Sequence, residues 1–505
     1  MLRKTRIILA TIFFIGITLC FLDFTGVVSR YLGWMEKMQL VPAVLALNVG
    51  VVLFLLVLTL LFGRVYCSVI CPMGVMQDII SWVHNRKKKA RVRFGYTSEK
   101  RVLRYGFLAV FVLLIVLGMT SIAALIAPYS AFGRIAANIF APVYAGVNNY
   151  LASVAEHYDS YAFYSVDVWL KSGISLAVAV ATLLVVGFLA WRGGRTYCNT
   201  VCPVGTLLGF VSRFALLRPV INTEKCVGCT LCARKCKASC IDAKNHRIDY
   251  SRCVACMDCI GNCSSGAITY ARPSKVAHAK AADTTSDADT KAETNADTSR
   301  RSFLTLASLF AVGTALKAQE SKVDGGLAVI EDKKIPTRKC KITPPGSKGI
   351  KHITQHCTAC QLCVAACPNG VLRPSSDLAT LMQPEMGYER GYCRPECNRC
   401  SQVCPNGAIR PIQLDEKTSI QIGRAVWVPE NCIVNTDGVR CGNCARHCPN
   451  GAIKMMPKDE NDPESPWFPV VDAERCIGCG ACEYVCPARP FSAIYVEGNS
   501  KHRSV

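Results

Sequence analysis

Four stretches without a single charged side chain, residues 7–22, 40–62, 105–127 and 173–191, fill much of the first 200 residues. A helix needs about 20 apolar residues to cross a bilayer, and each stretch is near that length, the first when its flanks are counted. The pattern predicts four membrane spans; buried core helices are the other reading of such runs. No small-residue cleavage site follows the first stretch, so a signal peptide is not expected there. Residues 274–299 are rich in Ala, Asp and Thr and hold no Leu, Ile, Phe, Trp or Tyr. Such a segment cannot bury enough apolar surface to offset its ordering, and it reads as a linker. One more apolar run, 305–316, is short for an ordinary span.

Charge orients these stretches. The net charge is +22, yet from residue 318 onward 23 Lys and Arg nearly balance 20 Asp and Glu. The excess lies beside the apolar stretches: Arg3, Lys4 and Arg6, then Arg86, Lys87, Lys88, Lys89, Arg91 and Arg93, then Arg192, Arg195, Arg213 and Arg218. Between the first two spans, Arg30 and Lys37 are offset by Asp23 and Glu36. In the 129–171 loop, Arg134 and Lys171 face Glu156, Asp159 and Asp167. Cytoplasmic loops collect Lys and Arg, so the N-terminus and the chain after the fourth span are expected in the cytoplasm. Juxtamembrane charge accounts for the basic run at 86–93, and no nucleic-acid partner is expected.

Cysteine spacing brings in the chemistry. Of 31 cysteines, 24 fall in six runs of the form C-x2-C-x2-C-x3-C or a close variant. Three thiolates on one tight loop, with a fourth from a partner run, hold a [4Fe–4S] cluster. Disulfide frameworks do not use an odd count in regular triplets, and zinc takes two separated pairs. Six [4Fe–4S] clusters are therefore expected. The first two runs are Cys226, Cys229, Cys232 and Cys236, and Cys253, Cys256, Cys259 and Cys263. They have the layout of two-cluster bacterial ferredoxins, in which each fourth cysteine ligates the other cluster. On that layout Cys226, Cys229, Cys232 and Cys263 hold one cluster, and Cys253, Cys256, Cys259 and Cys236 the other. Lys237 and Ser264 stand where Pro is usual, and Cys240 is an extra thiol, expected to pack against the cluster.

The later runs are Cys357, Cys360, Cys363 and Cys367; Cys393, Cys397, Cys400 and Cys404; Cys432, Cys441, Cys444 and Cys448; and Cys476, Cys479, Cys482 and Cys486. Each is followed by Pro, whose fixed φ turns the chain away from the cluster. The third carries an insert at 433–440, a loop that is either a docking surface or a tolerated insertion.

A twelve-residue pattern, G-R-x-Y-C-x3-C-P-x-G, follows both the second and the fourth apolar stretch, with Cys67 and Cys71 in one copy and Cys198 and Cys202 in the other. Two repeated hairpins would bring these pairs together at one membrane face, as ligands of a further metal centre or as redox dithiols. Capping of helix ends by small apolar side chains is the plainer reading. Ser299-Arg300-Arg301-Ser302-Phe303-Leu304 before the 305–316 run resembles a twin-arginine export signal in mid-chain. A fifth crossing there, or export of a folded domain, would put the last four runs outside the cytoplasm.

The hairpins with their C-x3-C-P pairs and trailing ferredoxin resemble NapH-type membrane polyferredoxins and the broader group with NosR- and CcoG-type proteins. The part from Arg300 resembles a NapG-type four-cluster partner, as though two subunits were fused. The resemblance implies an α-helical membrane domain (1–218), an α+β two-cluster ferredoxin domain (219–272), a linker (273–299), a signal or anchor (300–318) and a four-cluster ferredoxin-like domain (335–505). It also implies an interleaved pairing of the last four runs. Cys486 would then join Cys357, Cys360 and Cys363; Cys367 would join Cys476, Cys479 and Cys482. Likewise Cys448 would join Cys393, Cys397 and Cys400, and Cys404 would join Cys432, Cys441 and Cys444. Pairing of neighbouring runs is the alternative.

The function implied is electron transfer in the inner membrane, from quinol through the clusters to a periplasmic reductase or cytochrome. A maturation or regulatory factor working through the C-x3-C-P pairs is the second reading. No C-x-x-C-H haem site and no G-x-G-x-x-G is present, and no histidine lies in the four stretches to bind a buried haem. His356 and His447, beside Cys357 and Cys448, are candidate donors to cluster sulfur. His157, Tyr158, Asp159 and Tyr161 are candidate proton acceptors in the 129–171 loop.

Overall fold

The computed structural model describes residues 2–86, 94–272, 331–462 and 464–504. The linker, the twin-arginine-like signal and most of the basic run at 86–93 lie outside the described residues. Two of the four apolar stretches are single helices long and apolar enough to cross a membrane: α1 (Leu2–Leu22) and α12 (Gly173–Gly193). Short helices α2 (Val27–Leu32) and α3 (Trp34–Lys37) follow α1. The second stretch is divided into α4 (Leu40–Leu45) and α5 (Val49–Phe62). Leu47 sits at positive φ there, and the Asn48 side chain caps α5 at the amide of Val51. The third is divided into α8 (Arg101–Val116) and α9 (Thr120–Ile126), with Gly118 at φ 75° between them.

The expected 129–171 loop is largely helical. Helix α10 (Pro128–Ile135), a π turn at Ala136–Phe140 and α11 (Ala141–His157) form one rod, bent 81° from α9. Pro128 at the first position starts it with the φ that a helix wants. If that bent pair counts as one crossing, three helices are apolar and long enough to span.

Both C-x3-C-P motifs follow the same course. Each Cys pair begins on a short helix, α6 (Val65–Val69) or α13 (Thr196–Thr200), and its Pro opens the next helix, α7 (Pro72–Arg86) or α14 (Pro203–Ser212).

The ferredoxin units lie at opposite ends of α1 and α12. At the start of α1, Arg3 pairs with Asp258 at 2.9 Å, while just past its end the carbonyl of Phe24 accepts from Arg399 at 3.1 Å. At the start of α12, Ser175 accepts from Gln361 at 2.5 Å; past its end the Arg195 amide donates to Lys237 at 2.9 Å. A 21-residue helix is roughly 30 Å long, so the two units are a membrane thickness apart.

The first unit closes on an antiparallel pair of its first and last strands, Arg218–Ile221 with Ile268–Ala271. In the second, the strand Ile420–Trp427, between the second and third cysteine runs, pairs with the final strand Ile494–Ser504.

Candidate metal centres

In four of the six runs the loop geometry repeats residue for residue. The second residue after the first cysteine and the residue after the second cysteine have left-handed φ. They are Gly228 and Thr230, Ala255 and Met257, Ala359 and Gln361, and Gly478 and Gly480. For a non-glycine residue this conformation costs about 1–2 kcal/mol, and such strain gathers at functional sites. It curls the backbone around the thiols, as the amide of Ala359 shows by donating to Cys357 Sγ at 3.4 Å.

In the first unit one cavity is lined by Cys226, Cys229, Cys232 and Cys263. Another is lined by Cys236, Cys253, Cys256 and Cys259, with Cys240 as a fifth thiol. Each cavity thus brings the fourth cysteine of one run beside the first three of the other. Cys240 Sγ lies 3.5 Å from Cys236 Sγ.

The second unit pairs neighbouring runs instead of interleaving them. One cavity gathers Cys476, Cys479 and Cys482 with Cys448, where Cys367 was expected. Burial pushes the Cys357 thiol up to about 12, and the charge of Cys404, on the neighbouring run, adds to the rise. Cys367 acts on Cys393 and Cys400, where Cys448 was expected. Cys486 acts on Cys444 together with Cys441 and Cys432, where Cys404 was expected. The physical reason is packing between short helices. Leu362–Ala365 lies against Arg399–Val403, and Asn443–Arg446 lies against Ala481–Val485. Each pair of runs thus closes on itself, with the strand Ile420–Trp427 between the pairs.

The pairs still meet. The amide of Cys393 donates to the carbonyl of Cys479 at 2.9 Å. Cys357 is fixed to the membrane helices, because its carbonyl accepts from Thr120 Oγ1 at 2.9 Å. His356 and His447 do not turn Nδ1 toward sulfur. Each Nδ1 faces a backbone carbonyl one helical turn back, at His352 and Asn443 respectively.

The two C-x3-C-P pairs converge at the other end of the helices, all four cysteines buried. Two arginines from the motifs, both fully buried, cross over. Arg64 reaches Cys67 Sγ of its own motif at 3.7 Å and the carbonyl of Cys198 in the other at 3.2 Å. Arg195 reaches Cys198 Sγ at 3.8 Å and the carbonyl of Cys67 at 2.7 Å. The motif glycines leave room for this: a Cβ on Gly74 would strike Cys67 O and Arg195, and one on Gly205 would strike Cys198 O and Arg64. Gln77 adds a donor to Cys198 Sγ at 3.2 Å.

Asp78 anchors Arg195 through both carboxylate oxygens at 2.9 Å and also meets Arg6 and Lys237. Burial opposes its charge, but these cations hold its carboxyl well below the usual range. The sequence repeat showed the arginines and glycines; Asp78, Gln77 and Lys237 carried no signal of their own.

Four thiols ringing a cavity fit a [4Fe–4S] cluster at the sites where a cavity is found. Among the described residues no three Cys, His, Asp or Glu side chains stand close enough to share a single metal ion. Cys67, Cys71, Cys198 and Cys202 are therefore not gathered around one ion. Four thiols beside two guanidinium groups suit a larger, anionic centre.

Comparison with known proteins agrees with this organisation. Residues 44–91 and 173–222, which hold the C-x3-C-P pairs, match a family model described as a 4Fe-4S binding domain. Residues 356–409 and 439–489 each match a 4Fe-4S dicluster domain, the first covering two neighbouring runs and the second the third run from Cys441 together with the fourth. Among curated proteins, the putative electron transport protein YccM of Escherichia coli is 22% identical over 48% of this chain and 60% of its own length. The regulatory protein NosR of Stutzerimonas stutzeri is 24% identical over 40% of the chain and 23% of its own length. The ferredoxin-type protein NapH of Haemophilus influenzae is 27% identical over 43% of the chain and 63% of its own length. In each case the chain spans less than two thirds of the relative. No solved structure matches. By these likenesses and its cysteine architecture the chain is similar to NapH- and NosR-like proteins, and it carries several 4Fe-4S domain matches.

Proposed function

We propose that the chain is an inner-membrane electron carrier, drawing electrons from membrane hydroquinone and delivering them to a periplasmic reductase or cytochrome. It would cross the membrane four times, α4–α5 and α8–α9 serving as broken spans, with the first ferredoxin unit in the cytoplasm. The part from Arg300 would be a fused NapG-type unit in the periplasm. A [4Fe–4S] cluster supplies one-electron chemistry when bound, and six sets of cysteines are available to hold one. These are the two sets of the first unit, then Cys357, Cys360, Cys363 and Cys404; Cys393, Cys397, Cys400 and Cys367; Cys476, Cys479, Cys482 and Cys448; and Cys432, Cys441, Cys444 and Cys486.

The observation that carries this reading is the unbroken succession of these sets in the second unit. Cys357 is tied to Thr120 of the membrane helices, and Cys393 is bonded to Cys479 across the two halves. The Cys432 set comes last, beside the 433–440 insert, which would dock the partner. A maturation factor working through exchange of the C-x3-C-P thiols fits less well. Those thiols are sealed from solvent, and burial pushes Cys71 up, away from the reactive thiolate.

The test is reduction by menadiol in inside-out and right-side-out membrane vesicles, followed by electron paramagnetic resonance. Cluster signals that rise with menadiol are expected, those of the second unit being sensitive to an added impermeant oxidant only in right-side-out vesicles. Clusters that menadiol leaves oxidised would sink the reading.

A further inference from the structure

Glu36 is the strongest chemical anomaly in the molecule. It lies on the four-residue helix α3 at the end of the membrane helices that faces the second ferredoxin unit, and it is 1% exposed. Neither carboxylate oxygen has a nitrogen or oxygen donor, and the one group able to donate to it is the Cys20 thiol of α1. A buried carboxylate left unpaired is costly, and an unsatisfied buried polar group in a native fold marks a function or a missing ligand. The groups around it are chemically active. Cys20 of α1, itself fully buried, lies beside it, and Asp23 and Lys37 are its charged neighbours. Tyr129 of α10 is also buried, its hydroxyl has no partner, and it senses Glu36, Cys20, Cys360 and Cys404 together.

The Cys357 set stands against the same wall. Gly133, one turn after Tyr129, has no room for a Cβ because the carbonyl of Cys360 and the ring of Phe21 press on it. On the lipid side, Tyr31 and Trp34 of α2 and α3 are exposed, as aromatic side chains are at a membrane interface. A proton acceptor, a set of cluster-holding thiols and an interfacial aromatic edge therefore lie at the same end of the membrane helices.

We propose that Glu36, with the Tyr129 hydroxyl, forms the site where a membrane hydroquinone is oxidised. The inference rests on the hydroquinone reading above and names its site. The headgroup enters from the lipid past Trp34, and its two hydroxyls meet the oxygens of Glu36 and Tyr129. Both O–H bonds break. The two protons pass one after the other to the Glu36 carboxylate, and from it toward Asp23, whose carboxylate borders the α1–α2 turn, and then to water. The two electrons leave singly to two oxidised [4Fe–4S] clusters, the first held by Cys357, Cys360, Cys363 and Cys404, and the product is the quinone. Glu36 returns to its starting charge after each proton is released.

The experiment uses the full chain in membrane vesicles, with Glu36→Gln, Glu36→Asp and Tyr129→Phe. Cluster content is read by dithionite reduction, entry of electrons by menadiol reduction, and binding by quenching of a fluorescent hydroxyquinoline N-oxide. Loss of a proton acceptor slows such a step by about a hundredfold or more. Glu36→Gln should show that loss and weaker quenching at unchanged cluster content, with partial recovery in Glu36→Asp. Menadiol reduction of Glu36→Gln at the parent rate would overturn the site while leaving the hydroquinone reading intact. Failure of menadiol to reduce the parent protein would overturn both. If Glu36→Gln loses clusters, Tyr129→Phe carries the same comparison, and parent-like rate and quenching there would overturn the site.

Discussion

The backbone amide of Cys393 donates to the carbonyl of Cys479 at 2.9 Å. That single bond joins the two halves of the second ferredoxin unit at cluster-holding residues, and it fixes which sites are neighbours. The Cys393 set exchanges cysteines with the Cys357 set, and the Cys476 set with the Cys432 set. Contact between the halves runs from the Cys393 set to the Cys476 set, so the order from the membrane is the Cys357, Cys393, Cys476 and then Cys432 set.

Lys417 sits at this junction, almost fully buried, and donates to the carbonyls of Arg394 and Cys397. Burial pushes the Cys393 thiol up while the Lys417 ammonium pulls it down. A cation beside a cluster favours the reduced, more negative state. Lys417→Met should lower the midpoint potential of one cluster by on the order of 60 mV, the one-electron equivalent of a tenfold change. Redox titration followed by electron paramagnetic resonance reads it, and an unshifted set of potentials would contradict the role given to Lys417.

Asp78 faces Arg6, Arg195 and Lys237 in the wall of the four-cysteine site. Asp78→Asn leaves three cations without their shared partner and should cost about 3–5 kcal/mol of stability. Its pH dependence has a definite sign. The folded carboxyl titrates lower than the unfolded one, so its contribution is complete above about pH 5 and is lost as pH falls below about 3.9. Thermal unfolding in detergent from pH 3 to 8 should show a steep acid limb for the parent and a shallower one for Asp78→Asn.

Gly74 and Gly205 admit the crossed arginines, and no alanine fits beside Cys67 O or Cys198 O. Gly74→Ala or Gly205→Ala should destabilise by about 1–3 kcal/mol through overpacking. Gly187, in the middle of α12 with open space around it, is the control. There Gly→Ala should stabilise by about 0.4–1 kcal/mol. Equal effects at the three positions, measured as melting temperatures, would remove the crossed-arginine explanation.

Cys240 shares the cavity of the second cluster site and lies beside Cys236. An S–H donated to a ligating sulfur stabilises the reduced cluster, so Cys240→Ala should keep the iron content and lower one potential. A loss of about four irons per chain would instead make Cys240 a ligand.

The sequence carried the cysteine sites well because their logic is local: C-x2-C-x2-C spacing implies the left-handed pair at Ala359 and Gln361 as much as the chemistry. Spans were less legible. Hydropathy does not register that Leu47 and Gly118 turn the chain inside apolar runs, nor that Pro128 starts a long helix in a stretch with polar residues. The partner of each fourth cysteine depends on which short helices pack together, and no residue near Cys404 or Cys448 encodes that. Glu36 looked like one carboxylate offsetting Lys37 in a loop; only the fold makes it a buried group without a nitrogen or oxygen donor.

The pairing itself is open to a direct chemical test. Losing one ligand destabilises one cluster and frees the other three thiols for alkylation, which mass spectrometry can assign residue by residue. With neighbouring runs paired, Cys448→Ser should expose Cys476, Cys479 and Cys482 to alkylation and leave Cys393, Cys397 and Cys400 protected. Cys367→Ser should do the reverse. Interleaved pairing predicts the opposite result in both variants, because Cys448 would then serve the Cys393 set and Cys367 the Cys476 set. The cavity that joins Cys448 to Cys476, Cys479 and Cys482 therefore stands or falls on which three cysteines become reactive.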